Sequence, residues 1–230
     1  MKTSGGSDAA KRRAGEHAAD LVTDGDVVGL GTGSTAAHAI RALGRAVDAG
    51  LDVQGVATSY ASRDLAREVG LPLVELGAVS RIDLAIDGAD QVSDDLALIK
   101  GGGAAHAREK VVDAAAARFV VVADPSKETA TLDRSVPVEV LPDARATVRR
   151  AVRDLDGEPT LRAAERKDGP VVTDNGNLVL DCDFGALPDP GSLATALATT
   201  PGVVAHGLFV DLADEVHVGH ADGVRVRARD

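Results

Sequence analysis

The strongest constraint on this chain is the alternation, up to about residue 124, of helix-like stretches with short apolar runs. Such alternation is what βαβ units produce, because a parallel strand must be followed by a crossover, usually a helix, that returns the chain to the same end of the sheet. The clearest unit is DVVGLGTG (26–33), a buried strand running into a tight glycine loop, followed by STAAHAIRALGRAVDAG (34–50), which reads as a helix. DVQGVATS, LPLVELG, RIDLAIDGAD and ARFVVVADP supply four further strands, with SYASRDLAREVG and HAREKVVDAAAA as helices between them and a first helix starting near Ser7 or Asp8. A doubly wound, mostly parallel α/β sheet is the economical arrangement.

Beyond about residue 132 the texture changes. SVPVEVLP reads as a strand bounded by prolines, ATVRRAVRDL as a helix, and PVVTDNGNLVLDCDF as two alternating strands around the hairpin signal Asn175-Gly176. SLATALATTPG adds a helix ending at Pro201-Gly202, and LIK (98–100) is expected as one more strand of the first half. The expected organisation is a catalytic domain of residues 1–132 and 207–230, the latter bringing the strands GLFVDL and EVHVGH. A small α+β domain of residues 133–206, suited to a lid or oligomerisation role, is inserted between them. The short Gly/Ser start is expected to fray.

No apolar run approaches the roughly 20 residues needed to cross a bilayer, so a membrane-spanning chain is excluded. The first residues place their basic side chains before an alanine-rich polar stretch and not before an apolar signal core, and a cytoplasmic location is expected. The single cysteine, Cys182, rules out an internal disulfide and agrees with a reducing compartment. With 36 acidic residues against 25 basic ones, the surface repels nucleic-acid phosphate, and nucleic acid is not an expected partner. The same balance suits a protein adapted to high salt or the drift of a GC-rich genome, and both readings remain open.

Four segments carry chemistry. The loop Gly31-Thr32-Gly33-Ser34-Thr35 joins a strand end to a helix start, where unpaired N–H groups and the helix dipole favour an anion such as phosphate. Gly31-x-Gly33-x-x-Ala36 also fits a degenerate dinucleotide fingerprint with Asp52 as the ribose acid, although Asp52 precedes its strand; a plain turn capped by Ser34 or Thr35 is the third option. Asp87-Gly88-Ala89-Asp90 follows the apolar run IDLAI and so sits at the carboxyl end of a strand, where open α/β sheets place ligands; a turn or helix cap at Asp90 is the structural alternative. Lys100-Gly101-Gly102-Gly103 leads into the helix carrying Arg108, Glu109 and Lys110. Three successive glycines are conformationally costly and point to close approach of a small ligand, while Glu109 reads equally as an exposed helix acid. Asp124-Pro125-Ser126-Lys127 closes a strand, with Lys127 able to reach a phosphate as a point charge or to sit in a surface turn. His17, His38, His106, His206, His217 and His220 show no ligand spacing, so no metal is assigned, and only His106 lies in the glycine-loop region.

In order, GLGTGSTA, TS, DGAD, LIKGGG, REK, ADPSK, PVEVLP, TDNGNLVLD and PGVVAHGLF resemble the type A ribose-5-phosphate isomerases over nearly the whole chain. The resemblance implies a Rossmann-like domain with a smaller ferredoxin-like domain, a homodimer or homotetramer, a sugar phosphate as substrate, and no cofactor or metal. It implies substrate loops at Thr32, Gly33, Ser34 and Thr35, at Asp87, Gly88, Ala89 and Asp90, and at Lys100, Gly101, Gly102 and Gly103. By the same resemblance Glu109 is the proton acceptor, Lys127 a substrate-binding lysine, and Lys11 a phosphate contact. Gln91-Val92-Ser93 after the DGAD motif, and Asp133, depart from the family pattern. Interconverting ribose 5-phosphate and ribulose 5-phosphate needs ring opening, proton transfer between C2 and C1, and stabilisation of an enediolate. On this reading Glu109 moves the carbon-bound proton, Asp87 assists ring opening and exchange at O1, Lys100 offsets enediolate charge, and Asp90 orients Lys100 or binds a hydroxyl. A sugar-phosphate sensing domain without turnover and an NAD-dependent dehydrogenase are the alternatives.

Overall fold

The structure is a computed structural model that describes residues 6–229; the rest of the Gly/Ser start expected to fray lies outside the described residues. In chain order the first half runs α1 (Asp8–Ala19), β1 (Val27–Leu30), α2 (Ser34–Asp48), β2 (Gln54–Ala57), α3 (Tyr60–Glu68), β3 (Leu84–Gly88), β4 (Gln91–Val92), β5 (Leu98–Ile99), α4 (His106–Ala115) and β6 (Phe119–Ala123). The second half continues with β7 (Val136–Val140), α5 (Arg145–Asp154), β8 (Glu158–Leu161), β9 (Leu178–Asp183), α6 (Pro190–Ala198), β10 (Val203–His206), β11 (Leu208–Phe209), β12 (Glu215–Gly219) and β13 (Val224–Ala228). The chain divides into two compact units: one takes its residues up to 89, 108–128 and 212 onward, the other takes 90–107 and 129–211. Among the described residues no helix is long and apolar enough to cross a membrane.

The first unit is α/β. Its six-stranded sheet has the order β2-β1-β3-β6-β12-β13, parallel except for β13, which pairs antiparallel with β12. Every residue of β6 is buried, as a central strand covered on both faces requires. One face packs Val28, Leu30, Ile86, Val120 and Val122 with Ala14 and Ala18 of α1 and Ile40 and Leu43 of α2, and the other packs Val56 and Ile82 with Val112 of α4. Burying each such large aliphatic side chain contributes roughly 1.5–3 kcal/mol. The chain moves from β1 outward to β2 and then back past β1 to β3, so the winding reverses between β1 and β3. That reversal opens a crevice at the carboxyl ends of these two strands. The strand expected in LPLVELG reduces to one bridge, Leu73 with Gly55, before a 3-10 turn at Leu76–Ala78. Pro72 has no N–H to extend the ladder.

A polar chain crosses this unit. His17 of α1 and His217 of β12 face each other through their Nδ1 atoms at 3.0 Å, His217 Nε2 lies 2.9 Å from Glu215 Oε2, and Arg118 donates from Nε and Nη2 to Glu215 Oε1 at 2.9 and 2.6 Å. Burial holds His217 below its ordinary value, with the hydrogen bond to Glu215 opposing in part. Burial alone raises Glu215, but the hydrogen bonds from His217 and Arg118 together outweigh it and hold the carboxyl low. Both groups therefore bind fewer protons folded than unfolded, so their contribution is present at neutral pH and lost on acidification. The loss begins as pH falls below the ordinary His value of 6.5 and resumes below the ordinary Glu value of 4.5. Urea midpoints should fall steadily between about pH 7 and about pH 5, and His217→Gln should flatten that part of the curve.

The second unit is α+β, with a four-stranded antiparallel sheet of order β10-β7-β9-β8 and a three-stranded one of order β11-β5-β4. Val136, Val138 and Val140 alternate on β7 toward Val148 and Val152 of α5, Leu180 and Cys182 of β9 and Leu197 of α6. The Cys182 thiol is pushed up to about 12, first by burial and then by the charge of Asp181, so it is inert at neutral pH. The hairpin at Asn175-Gly176 turns as expected, with Thr173 N–H donating to the Asn177 carbonyl at 2.9 Å, but its first arm is a single bridge, Val172 with Leu178. The turn residues bond elsewhere: Thr173 Oγ1, Asn175 Nδ2 and Asn177 Nδ2 all donate to Oε1 of the buried Glu139, at 2.9, 3.0 and 2.8 Å.

Two strands expected in the parallel sheet lie here instead. LIK forms β5, antiparallel to β4 and β11, and GLFVDL forms β11. The stretch between Gly88 and Leu98 is shorter than the dozen or so residues a parallel crossover requires, so the chain folds back on itself as a β4-β5 hairpin. This unit consequently takes residues 90–107, 129–132 and 207–211 in addition to the 133–206 expected of a small domain.

Candidate active site

In the α/β unit the site grows from the reversal between β1 and β3. Gly31 follows β1 so closely against β3 that a Cβ there would lie 2.2 Å from Asp87 Oδ1 and 2.5 Å from Asp87 Cα; only glycine permits the approach. Asp87 is fully buried, and its Oδ1 accepts the N–H groups of Thr32 at 2.9 Å and Gly88 at 2.6 Å. Thr32 Oγ1 donates to Ser59 Oγ at 2.7 Å and lies 2.9 Å from Thr58 Oγ1, which bonds the Leu30 carbonyl at 3.0 Å. Thr58 and Ser59 had no role from sequence; their one signal was the TS pair at the end of the β2 run.

Gly33 precedes α2 with no side-chain cap, so neither Ser34 nor Thr35 caps the helix and the turn reading gives way to an open N-terminus suited to an anion. Asp52 lies before β2 and donates its N–H to Asp24 Oδ1, remote from the position a ribose acid takes at a strand's carboxyl end.

The remaining groups of this unit reach the same carboxyl edge by topology. The segment after α4 meets the amino end of β3, where the Ala117 N–H donates to the Ile82 carbonyl at 2.8 Å, so the helix runs opposite to the strands and its first turn, with Glu109, lies at their carboxyl end. Glu109 is 4% exposed, which contradicts the exposed helix acid. Lys127 ends the 3-10 turn Pro125–Lys127 after β6, a turn capped by Asp124, and is buried with it, so it is not a surface-turn lysine. Lys11 is half-buried near the start of α1, whose Arg13 donates to the His220 carbonyl just past β12 at 2.9 Å. Next to Glu109, burial pushes the Lys110 ammonium down to about 8.

The α+β unit holds the other set. Asp90 Oδ2 accepts the Gly102 N–H at 2.7 Å, and the Asp90 N–H donates to the Ile99 carbonyl at 2.8 Å, so Asp90 orients the glycine loop through its backbone. Lys100 is 2% exposed, its N–H bonded to the Gly207 carbonyl at 2.8 Å and its Nζ 5.3 Å from the centre of the Phe209 ring. Gly101 has φ +102° and packs against the buried His106 ring. The two departures from the family pattern meet: Gln91 Nε2 donates to Asp133 Oδ1 at 2.5 Å and Gln91 Oε1 accepts the Asp133 and Arg134 N–H groups at 2.9 and 3.1 Å. Among the described residues no group of His, Cys, Asp and Glu side chains has the arrangement of a metal site.

A family model described as ribose 5-phosphate isomerase A (phosphoriboisomerase A) matches residues 54–223. Curated relatives carrying the name ribose-5-phosphate isomerase A include that of Halorubrum lacusprofundi, 70% identical across 100% of both chains, and that of Haloarcula marismortui, 70% identical across 97% of each. Among solved structures, ribose 5-phosphate isomerase A from Methanocaldococcus jannaschii matches with a TM-score of 0.91 at 43% identity, covering 95% of this chain and 98% of that one. A D-ribose-5-phosphate isomerase in complex with phospho-erythronic acid matches with a TM-score of 0.93 at 41% identity, covering 95% and 97%.

Proposed function

The chain belongs to the ribose-5-phosphate isomerase A family, aldose–ketose isomerases of D-ribose 5-phosphate and D-ribulose 5-phosphate, and we propose that Glu109 moves the proton between C2 and C1. The observation that carries this reading is a carboxylate withdrawn almost completely from solvent in the first turn of α4, at the carboxyl edge of a parallel sheet. Partial desolvation raises carboxylate basicity, as a base that must take a proton from carbon requires.

Asp87, held by the Thr32 and Gly88 N–H groups through one oxygen, assists furanose opening and proton exchange at O1. Lys100 and the donors of Gly101 and Gly103 offset the negative charge that grows on the enediolate oxygens, and Asp90, which takes the Gly102 N–H, holds that loop in place. Thr32, Gly33, Ser34 and Thr35 at the open start of α2, with Lys127 and Lys11, hold the phosphate, while Gly88 and Ala89 line the sugar. The phospho-erythronic acid bound by a related isomerase supports a phosphorylated sugar as ligand. We place the enzyme in the cytoplasm as a homodimer or homotetramer, in line with the family resemblance.

Relatives that match end to end carry an enzyme's name, which leaves the sensing domain without support. Purified protein should convert ribose 5-phosphate to ribulose 5-phosphate with neither a nicotinamide nucleotide nor added metal, and at the same rate in excess EDTA. Turnover that required either addition would overturn the mechanism.

A further inference from the structure

Sequence alone gives Arg162 no role, yet it grips the glycine loop. Its side chain, just past β8 in the α+β unit, is 10% exposed. The guanidinium forks onto Asp181 of β9, Nε donating to Oδ2 at 2.9 Å and Nη2 to Oδ1. Nη1 then donates to the carbonyls of Gly101 at 2.8 Å and Gly102 at 3.3 Å. Its backbone is fixed as well, the N–H donating to the Val179 carbonyl and its own carbonyl accepting from Val171, both at 2.9 Å.

The two carbonyls set the direction of the donors behind them. In a trans peptide the C=O and N–H point in opposite directions. With the Gly101 carbonyl facing Arg162, the Gly102 N–H faces away, where Asp90 Oδ2 accepts it at 2.7 Å. That peptide is pinned by a cation on one side and a carboxylate on the other. The weaker bond to the Gly102 carbonyl likewise turns the Gly103 N–H away from Arg162, at the solvent-exposed end of the loop. Hydrogen bonding at a carbonyl also polarises its amide and strengthens the N–H as a donor.

We propose that Arg162, oriented by Asp181, is a positioning residue of the isomerase reaction that fixes the Gly101–Gly103 peptides, with the Gly102 N–H anchored on Asp90, so that the Gly103 donor is set before enediolate charge develops. This rests on the reading of Lys100–Gly103 as a substrate loop. Arginine suits the task because one planar group satisfies a carboxylate and two carbonyls together, which an ammonium cannot.

The test compares wild type, Arg162→Met, Arg162→Lys and Asp181→Asn. A preorganised donor to developing charge is worth about 10²–10³-fold in kcat, and Arg162 acts one step removed, so Arg162→Met should lower kcat by about 10–100-fold. KM should change by less than about threefold, and inhibition by inorganic phosphate should be unchanged, since the phosphate-holding residues are untouched. Arg162→Lys should recover only part of the loss, and amide hydrogen exchange at Gly102 and Gly103 should accelerate in Arg162→Met. Adding Asp181→Asn to Arg162→Met should cost little more, because the two act as one unit. A variant that melts earlier but keeps its kcat, or one whose phosphate inhibition weakens in step with kcat, overturns the proposal in favour of a general structural role. Should Arg162→Met not fold, Arg162→Lys and Asp181→Asn are read by the same criteria. A wild type that does not isomerise ribose 5-phosphate refutes the functional reading instead, while the exchange rates still report whether Arg162 holds the loop.

Discussion

Glu109→Gln should lower kcat for ribose 5-phosphate isomerisation by about 10²–10⁴-fold, with KM and thermal stability nearly unchanged. Glutamine has the shape of glutamate and keeps an acceptor oxygen, but it cannot take a proton from carbon. Because Glu109 is 4% exposed and held in the first turn of α4, a neutral isostere does not disturb packing, and the loss isolates the chemistry. Glu109→Asp is the companion measurement: the carboxylate is retained but withdrawn by one methylene, and a displacement of about 1 Å costs about 100-fold. Near-full turnover by a folded Glu109→Gln protein would remove Glu109 from the mechanism, and Lys110, whose ammonium burial brings down to about 8, would be the neighbour to examine.

Replacing Asp87 should cost about 10²-fold or more in kcat, and the two obvious variants should fail differently. Asp87→Asn keeps one carbonyl oxygen for the Thr32 and Gly88 N–H groups, so the loop stays formed while the charge and the proton-accepting oxygen are lost. Asp87→Ala also strands those two N–H groups, each at about 1–3 kcal/mol, and should lower the melting temperature as well as activity. Equal melting temperatures for the two would mean that Asp87 does not hold the loop between β1 and α2. Equal kcat for wild type and Asp87→Asn would mean that it has no part in proton transfer.

The α/β unit was largely legible because its strands are bounded apolar runs and its helices keep one apolar face, so DVVGL, DLAIDG and FVVVA declared themselves locally. The misreadings came where length or competition decided. Nothing in LIK marks it as half of a hairpin with two-residue strands; only the shortage of chain for a crossover does so. The first arm of the Asn175-Gly176 hairpin failed because its polar residues bond Glu139, a partner distant in sequence. The same holds in the site. Glu109 and Asp87 carry their own motifs, whereas Arg162 sits in the unremarkable stretch LRAAERK and gains its meaning from carbonyls some sixty residues away. Gln91 and Asp133, separately puzzling as departures, explain each other once their hydrogen bonds are seen.

The chain passes between its two units at residues 89–90, 107–108, 128–129 and 211–212, and this has a consequence for synthesis on the ribosome. β12, which lies between β6 and β13, emerges only after β7 to β11 have been made. Until it does, the α/β sheet must end at β6, and the wholly apolar FVVVA is a bare edge open to pairing with other chains. A nascent chain released or stalled before residue 215 is therefore the form most in need of a chaperone, because its sheet lacks the strand that covers β6.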